Sequence, residues 1–139
     1  MNMPFPLSVE YDGKYVVGIH FKKGNFNRFN EAERQLIEYL NGNRKMFTFP
    51  YKLTGTPFQK DVYKTLISTS YGSVISYGEL AKRSGHEHAA RAVGRAMNKN
   101  PLAILIPCHR VLPADRTLGK FGASIAIKEW LLTLEKNQG

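Results

Sequence analysis

The chain divides between residues 50 and 55, where a strand-led part gives way to a helical one, and that division limits the fold more than any other feature. Before it, "PLSVEY" alternates apolar and polar side chains, Asp12-Gly13 is a hairpin turn signal, and "KYVVGIHF" resumes the strand pattern. A helix follows, with Asn30 as its cap, Glu33 three residues on, Leu36, Ile37 and Leu40 as an apolar stripe, and Gly42 as its stop. "MFTFPYKLTG" reads as extended chain ending in turn residues. Beyond it the spacing is helical. Thr56 is a cap, Pro57 stands in the first turn, and Gln59 lies three residues after the cap. Phe58, Val62, Leu66 and Ile67 repeat at helical intervals.

The second part continues with "YGSVIS", a turn and a short strand, and Ser76 caps the next helix with Glu79 closing its box. That helix breaks at Ser84-Gly85 and another starts near Glu87. Two short helices joined by a glycine-containing turn look like a helix-turn-helix. The apolar run Leu102 to Ile106, fenced by Pro101 and Pro107, reads as a buried strand or extended segment. A last helix spans about Ser124 to Lys136, with Ile127, Leu131 and Leu134 as its stripe and Ala126 and Trp130 beside it. The expected fold class is α/β (α+β). A small sheet-plus-helix unit would occupy residues 1–54 and a helical unit residues 55–139, a division that 139 residues can accommodate.

The helix from about Glu87 to Asn98 is two-sided. Ala89, Ala92, Val93, Ala96 and Met97 fall on one side, and Glu87, Arg91, Gly94, Arg95 and Asn98 on the other. Small apolar residues let the helix pack tightly. The polar side is either an ordinary solvated face or a phosphate grip, since arginine binds phosphate and glycine permits close approach. Lys and Arg outnumber Asp and Glu by 20 to 11, a formal charge of +9, which favours a polyanionic partner.

The chain has one cysteine, Cys108, within "IPCHRV". One cysteine forms no internal disulfide and no multi-cysteine zinc site, and His20, His86, His88 and His109 match no metal spacing, so no metal is assigned. Cys108 is either an inert buried thiol or a nucleophile. A nucleophile at neutral pH needs a base or cation nearby, because the thiolate is the reactive form. His109 is the candidate base and Glu135 the candidate carboxylate behind it. Glu135 sits at the edge of the last helix's stripe, as either a surface carboxylate or a half-buried one holding a partner. Neighbours in an extended segment point to opposite sides, so Cys108 and His109 would communicate through a turn or a water. The first residues lack the apolar core of a signal peptide, and no apolar run approaches membrane-spanning length; an intracellular, cytoplasmic location without membrane is expected, nuclear in a eukaryote.

"IPCHRV" resembles the active-site motif of the O6-alkylguanine-DNA alkyltransferases, the methylated-DNA–protein-cysteine methyltransferases. "GTPFQ", "VISYGELA", "AARAVGRAMNKNP", "ILIPCHRV" and "KEWLLTLE" resemble further family segments in family order, over most of residues 55–136. The first fifty residues match only in size and strand content. The resemblance implies a loosely matched ribonuclease-H-like first unit and a winged helix-turn-helix second unit. It implies irreversible, single-turnover transfer of the alkyl group from O6-alkylguanine, and from O4-alkylthymine, in duplex DNA to the protein's own thiol, with no cofactor. Cys108 would accept the group, His109 would be the base through a water, and Glu135 would orient it. Tyr77 would protonate the leaving guanine, and Asn100 would brace the turn before the thiol. Arg91 would fill the stack vacated by a flipped base, with Ala90, Gly94, Arg95 and Asn98 on the same minor-groove helix. Val111, Phe121 and Gly122 would line the pocket. The protein would act as a monomer. Phe121 stands where family members usually carry tyrosine, and the first half lacks the cysteine of zinc-binding relatives. Two other readings remain: a winged-helix DNA-binding protein without thiol chemistry, and a Cys-His-Glu thiol hydrolase.

Overall fold

The computed structural model describes residues 3–113, 115 and 125–138. The opening hairpin pairs β1 (Ser8–Asp12) antiparallel with β2 (Tyr15–His20), from Asp12↔Tyr15 to Ser8↔His20, with an irregularity at Glu10/Tyr11. Gly13 takes φ +60°, which the tight turn requires and glycine adopts without strain. The other edge of β2 carries two isolated pairings that decide the architecture. Val16 pairs with Tyr51, and Ile19 pairs with Leu102, where Ile19 N–H donates to Pro101 O at 2.9 Å and Ala103 N–H donates to Ile19 O at 3.0 Å. The hairpin thus grips the segment that leads to Cys108.

Helix α1 (Glu31–Leu40) buries Ala32, Leu36, Tyr39 and Leu40. Asn30 precedes it, but its side chain does not accept a helix N–H. It donates instead to Glu33 Oε2 at 3.2 Å, and Glu33 also takes the Asn27 N–H and the Tyr11 hydroxyl. Glu33 draws these donors together, so the expected cap is replaced by a carboxylate hub. Helix α2 (Pro57–Ile67) has the complete capping box: Gln59 N–H donates to Thr56 Oγ1 at 3.1 Å, and Thr56 N–H donates to Gln59 Oε1 at 3.0 Å. Gly55, at φ +121°, is needed there, because an added Cβ would meet Gln59 Oε1 at 2.5 Å.

Strand β3 (Ile75–Ser76) runs parallel to β4 (Val111–Leu112), pairing Ile75↔Val111 and Ser76↔Leu112. Helix α3 (Tyr77–Arg83) starts at Ser76, whose hydroxyl accepts the Glu79 N–H at 3.1 Å. The second half of the expected box goes elsewhere: Glu79 Oε1 accepts Arg83 Nε–H at 3.1 Å. Helix α4 (Ala90–Asn98) begins three residues later than the sequence pattern places it, because His86–Ala89 forms a turn and His88 takes φ +71°. The run Leu102–Ile106 is not a continuous strand. It pairs at Leu102 and Ala103, then turns through Ile104 at φ +71°, with Ile106 N–H donating to Leu102 O at 2.9 Å. That conformation is costly for a β-branched residue and persists only when its surroundings impose it. Helix α5 (Ile125–Gln138) closes the described chain.

The buried apolar cluster is continuous across residue 54. It joins Val9, Ile19 and Leu36 to Val62, Leu80, Val93, Ile106 and Leu131. Burying each such side chain contributes about 1.5–3 kcal/mol. In α5, Leu131 is fully buried while Ile127 and Leu134 pack partly; the face turned inward also carries Lys128 and Glu135, each 1% exposed. The outcome is a mixed α/β molecule whose core ends at a polar cluster around residues 108–110.

Candidate active site

Pro107 ends the buried run, and residues Cys108–Arg110 form one 3-10 turn, with Cys108 N–H donating to Ile106 O at 2.7 Å and Arg110 N–H donating to Pro107 O at 2.9 Å. Successive side chains of a 3-10 turn leave the axis about 120° apart. The turn therefore sends Cys108, His109 and Arg110 in three directions, which answers the adjacency problem of an extended segment. All three are buried.

His109 and Arg110 both reach Glu135. Its Oε2 stands 2.7 Å from His109 Nε2 and accepts Arg110 NH2 at 3.0 Å, and its Oε1 accepts Arg110 Nε at 2.8 Å and the Gly72 N–H at 3.0 Å. The Tyr39 hydroxyl also donates to Oε2, and its oxygen lies 3.3 Å from His109 Nε2. Arg110 NH1 donates to Thr69 O at 3.0 Å and Oγ1 at 3.1 Å. Burial pushes the Glu135 carboxyl up, but hydrogen bonds and attraction from His109 and Arg110 outweigh it and hold the carboxyl far below its ordinary range. Burial lowers His109 despite Glu135, so its imidazole is neutral at neutral pH. With the carboxylate at Nε2, the assigned tautomer carries its proton there and leaves Nδ1 as the lone-pair nitrogen. Nδ1 is buried without a hydrogen-bond partner among the described residues. A neutral imidazole with this tautomer can accept a proton at Nδ1.

The thiol faces a different set. Burial pushes Cys108 up to about 11, and the groups that counter it are a hydrogen bond from Asn100 and the charge of Lys128. Lys128 Nζ donates to Val111 O at 2.8 Å, and burial lowers its pKa while Cys108 raises it. Lys128 is thus the neighbouring cation that acts on the thiol, and burial outweighs it. Asn100 Nδ2 donates to Ile106 O at 2.9 Å, and its Oδ1 accepts the Leu102 N–H at 2.8 Å, so one side chain clamps both ends of the strained Ile104 turn. Two phenols feel the thiol: burial and then Cys108 push Tyr63 up to about 12 and Tyr77 upward. Tyr63 donates to Ala96 O at 2.8 Å, tying the thiol's surroundings to α4.

Tyr77 is the first residue of α3 and half-buried. A Cβ added at Gly94 would stand 3.9 Å from Tyr77 Cε1, so α4 passes close over the phenol. Arg91, Arg95 and Asn98 are exposed on α4, while Ala90 and Gly94 are half-buried. Val111 is fully buried in β4. Phe121 and Gly122 lie outside the described residues. Among the described residues, no group of three or more His, Cys, Asp and Glu side chains stands together, and no helix is long and apolar enough to cross a membrane.

Tyr39, Arg110, Lys128, Tyr63, Thr69 and Gly72 were not assigned from sequence. Lys128 had a signal, since it shares a helical face with Leu131 and Glu135 at intervals of three and four. Tyr39 had none, lying 96 positions before Glu135.

Comparison with known proteins follows the same residues. A family model described as "6-O-methylguanine DNA methyltransferase, DNA binding domain" matches residues 57–137. The methylated-DNA–protein-cysteine methyltransferase of Methanosarcina acetivorans is 47% identical over 107 residues, 77% of this chain and 69% of its own. That of Shigella flexneri is 39% identical over 134 residues, 91% of this chain and 78% of its own. The crystal structure of Mycobacterium tuberculosis OGT in complex with DNA superposes with a TM-score of 0.87 at 36% identity, covering 96% of this chain and 88% of that one.

Proposed function

The chain belongs to the 6-O-methylguanine DNA methyltransferase family, and we propose that it repairs duplex DNA by moving the alkyl group of O6-alkylguanine onto its own Cys108. The observation that carries this reading is the buried sole thiol on one turn with a neutral histidine whose Nδ1 has no partner among the described residues and whose Nε2 is fixed by Glu135. In this reading residues 55–139 form the reacting and DNA-binding unit, with α3 and α4 as a winged helix-turn-helix. Residues 1–54 form a supporting, ribonuclease-H-like unit. The protein works inside the cell as a monomer.

A base within a duplex cannot reach a thiol that is 5% exposed, so the alkylated guanine must leave the stack. Helix α4 enters the minor groove, Arg91 fills the gap, and Ala90, Gly94, Arg95 and Asn98 line its approach. Unstacking costs a few kcal/mol, which the inserted side chain offsets. At rest Cys108 is protonated, because burial raises it. When the alkyl carbon arrives, His109 Nδ1 takes the thiol proton through a water, and Glu135 stabilises the imidazolium. Lys128 and Asn100 steady the developing thiolate. The sulfur forms a bond to the alkyl carbon as its bond to O6 breaks, and Tyr77 delivers a proton to the departing guanine. The product is a thioether and an unmodified guanine. Val111 bounds the pocket, and O4-alkylthymine is a second substrate. A DNA reader without chemistry has no use for this thiol network, and nothing in the geometry favours a hydrolase.

The test is Cys108→Ser with methylated duplex. The variant is expected to bind duplex as the parent does and to gain no mass. Methyl transfer to Cys108→Ser would overturn the assignment.

A further inference from the structure

One contact at the site comes from the far end of the chain. Tyr39 lies on the last turn of α1, is 1% exposed, and sends its hydroxyl to Glu135 Oε2, the same oxygen that holds His109. Its oxygen is also 3.3 Å from His109 Nε2. The ring is held on two sides: Phe47 packs at 5.4 Å and Tyr71 edge-on at 6.0 Å between centroids. A residue needed only to fill space here has no use for the hydroxyl.

Resting on the alkyl-transfer reading above, we infer that Tyr39 is a positioning residue for the reaction, sharing Glu135 Oε2 with His109 and thereby setting how readily His109 accepts the thiol proton. A carboxylate oxygen has a limited capacity for strong donors. Each donor to Oε2 draws charge from the bond to His109 and lowers the pull on an imidazolium. Remove the Tyr39 hydroxyl and more of the carboxylate charge falls on His109. The imidazole then charges at higher pH, where it no longer serves as a base. The other charged or titratable groups around His109 are Glu135 and Lys128 from α5 and Arg110 from its own turn, with Tyr71 beside Glu135 and Arg110. None of these is altered by deleting the Tyr39 oxygen. The first fifty residues thus contribute a polar atom to the site as well as a wall to the core.

The experiment follows the rate of methyl transfer to Cys108 from methylated duplex, by intact mass, across pH 5–9 (roughly the range over which a histidine titrates). Tyr39→Phe keeps the ring. It is expected to move the acid limb of the profile up by about one pH unit, slowing transfer about tenfold on that limb and much less near neutral pH, the scale of one charged hydrogen bond. Phe47→Leu loosens the same packing without touching a hydroxyl, and is expected to lower stability while leaving the limb in place. Should Tyr39→Phe fail to fold, 3-fluorotyrosine at position 39 keeps ring and hydroxyl but strengthens the donor, and is expected to move the limb to lower pH. A limb that stays put in Tyr39→Phe, or in the fluorotyrosine protein, overturns the inference. Absence of transfer by the parent protein would instead overturn the alkyl-transfer reading itself.

Discussion

At the residue scale, burial is the largest influence on both Cys108 and His109, and Lys128 acts on both; Glu135 acts on His109 and Asn100 on the thiol. Lys128 therefore gives a specific expectation. Lys128→Met keeps the length of the side chain and removes the charge. The thiol should then titrate still higher, and the pH profile of transfer should move upward on its alkaline side, with a rate at neutral pH lower by about tenfold, the effect of about one pKa unit. An unchanged profile would leave Lys128 as a support for the Val111 carbonyl alone. Cys108, His109 and Glu135 were legible in the sequence because the first two are adjacent and the third lies on a helix whose phase is readable. Arg110 stood in the same motif but carried no pattern that distinguishes a buried guanidinium from an exposed one. Its role follows from where the 3-10 turn points it, and turn geometry is not written in periodicity.

At the element scale, turn and cap chemistry was the most legible part. The Thr56–Gln59 box, the turn at Gly13 and the break at Ser84-Gly85 all occur at the expected positions. The misreadings share a cause, which is competition for a polar group among residues three to six positions apart. Glu33 collects the side chain meant to cap α1, Arg83 takes the carboxylate meant to complete the α3 box, and Asn100 bends Leu102–Ile106 out of a strand. Helix α4 is where element and function meet. Its inner side is buried at Val93, Ala96 and Met97, and Arg91 and Arg95 are exposed on the opposite side. Arg91→Ala is expected to slow transfer from methylated duplex by at least tenfold more than transfer from free O6-alkylguanine, since only the duplex requires the gap to be filled. Arg95→Ala is expected to weaken duplex binding and reduce its salt slope by about one. Equal losses on duplex and free base would place Arg91 in the pocket rather than in the helix stack.

At the scale of the whole molecule, the first fifty residues are bound to the rest by the pairing of Ile19 with Leu102, a shared core and the Tyr39–Glu135 bond. None of these was visible in the sequence, because each joins positions whose separation leaves no local pattern. The buried titrating groups then shape stability. His109 is held neutral, so the unfolded chain binds a proton that the folded one does not, and stability should fall as pH drops below about 6.5. Glu135 is held ionised, so a second loss begins below about 4.3. Cys108 is raised, so stability should also fall as pH climbs from about 8.5 toward its folded value. Melting temperature against pH should therefore be flat between these limits, and Cys108→Ser should flatten the onset of the alkaline side.

The central claim is that the protein spends its single thiol once on DNA. A thioether is a poor leaving group, and the chain holds no second cysteine to resolve it. The most direct measurement titrates the protein with duplex carrying labelled O6-methylguanine, then counts and locates the label at the plateau. The account predicts one methyl group per molecule, all of it on the peptide that contains Cys108. Label elsewhere, or demethylation continuing well beyond one equivalent, would contradict it.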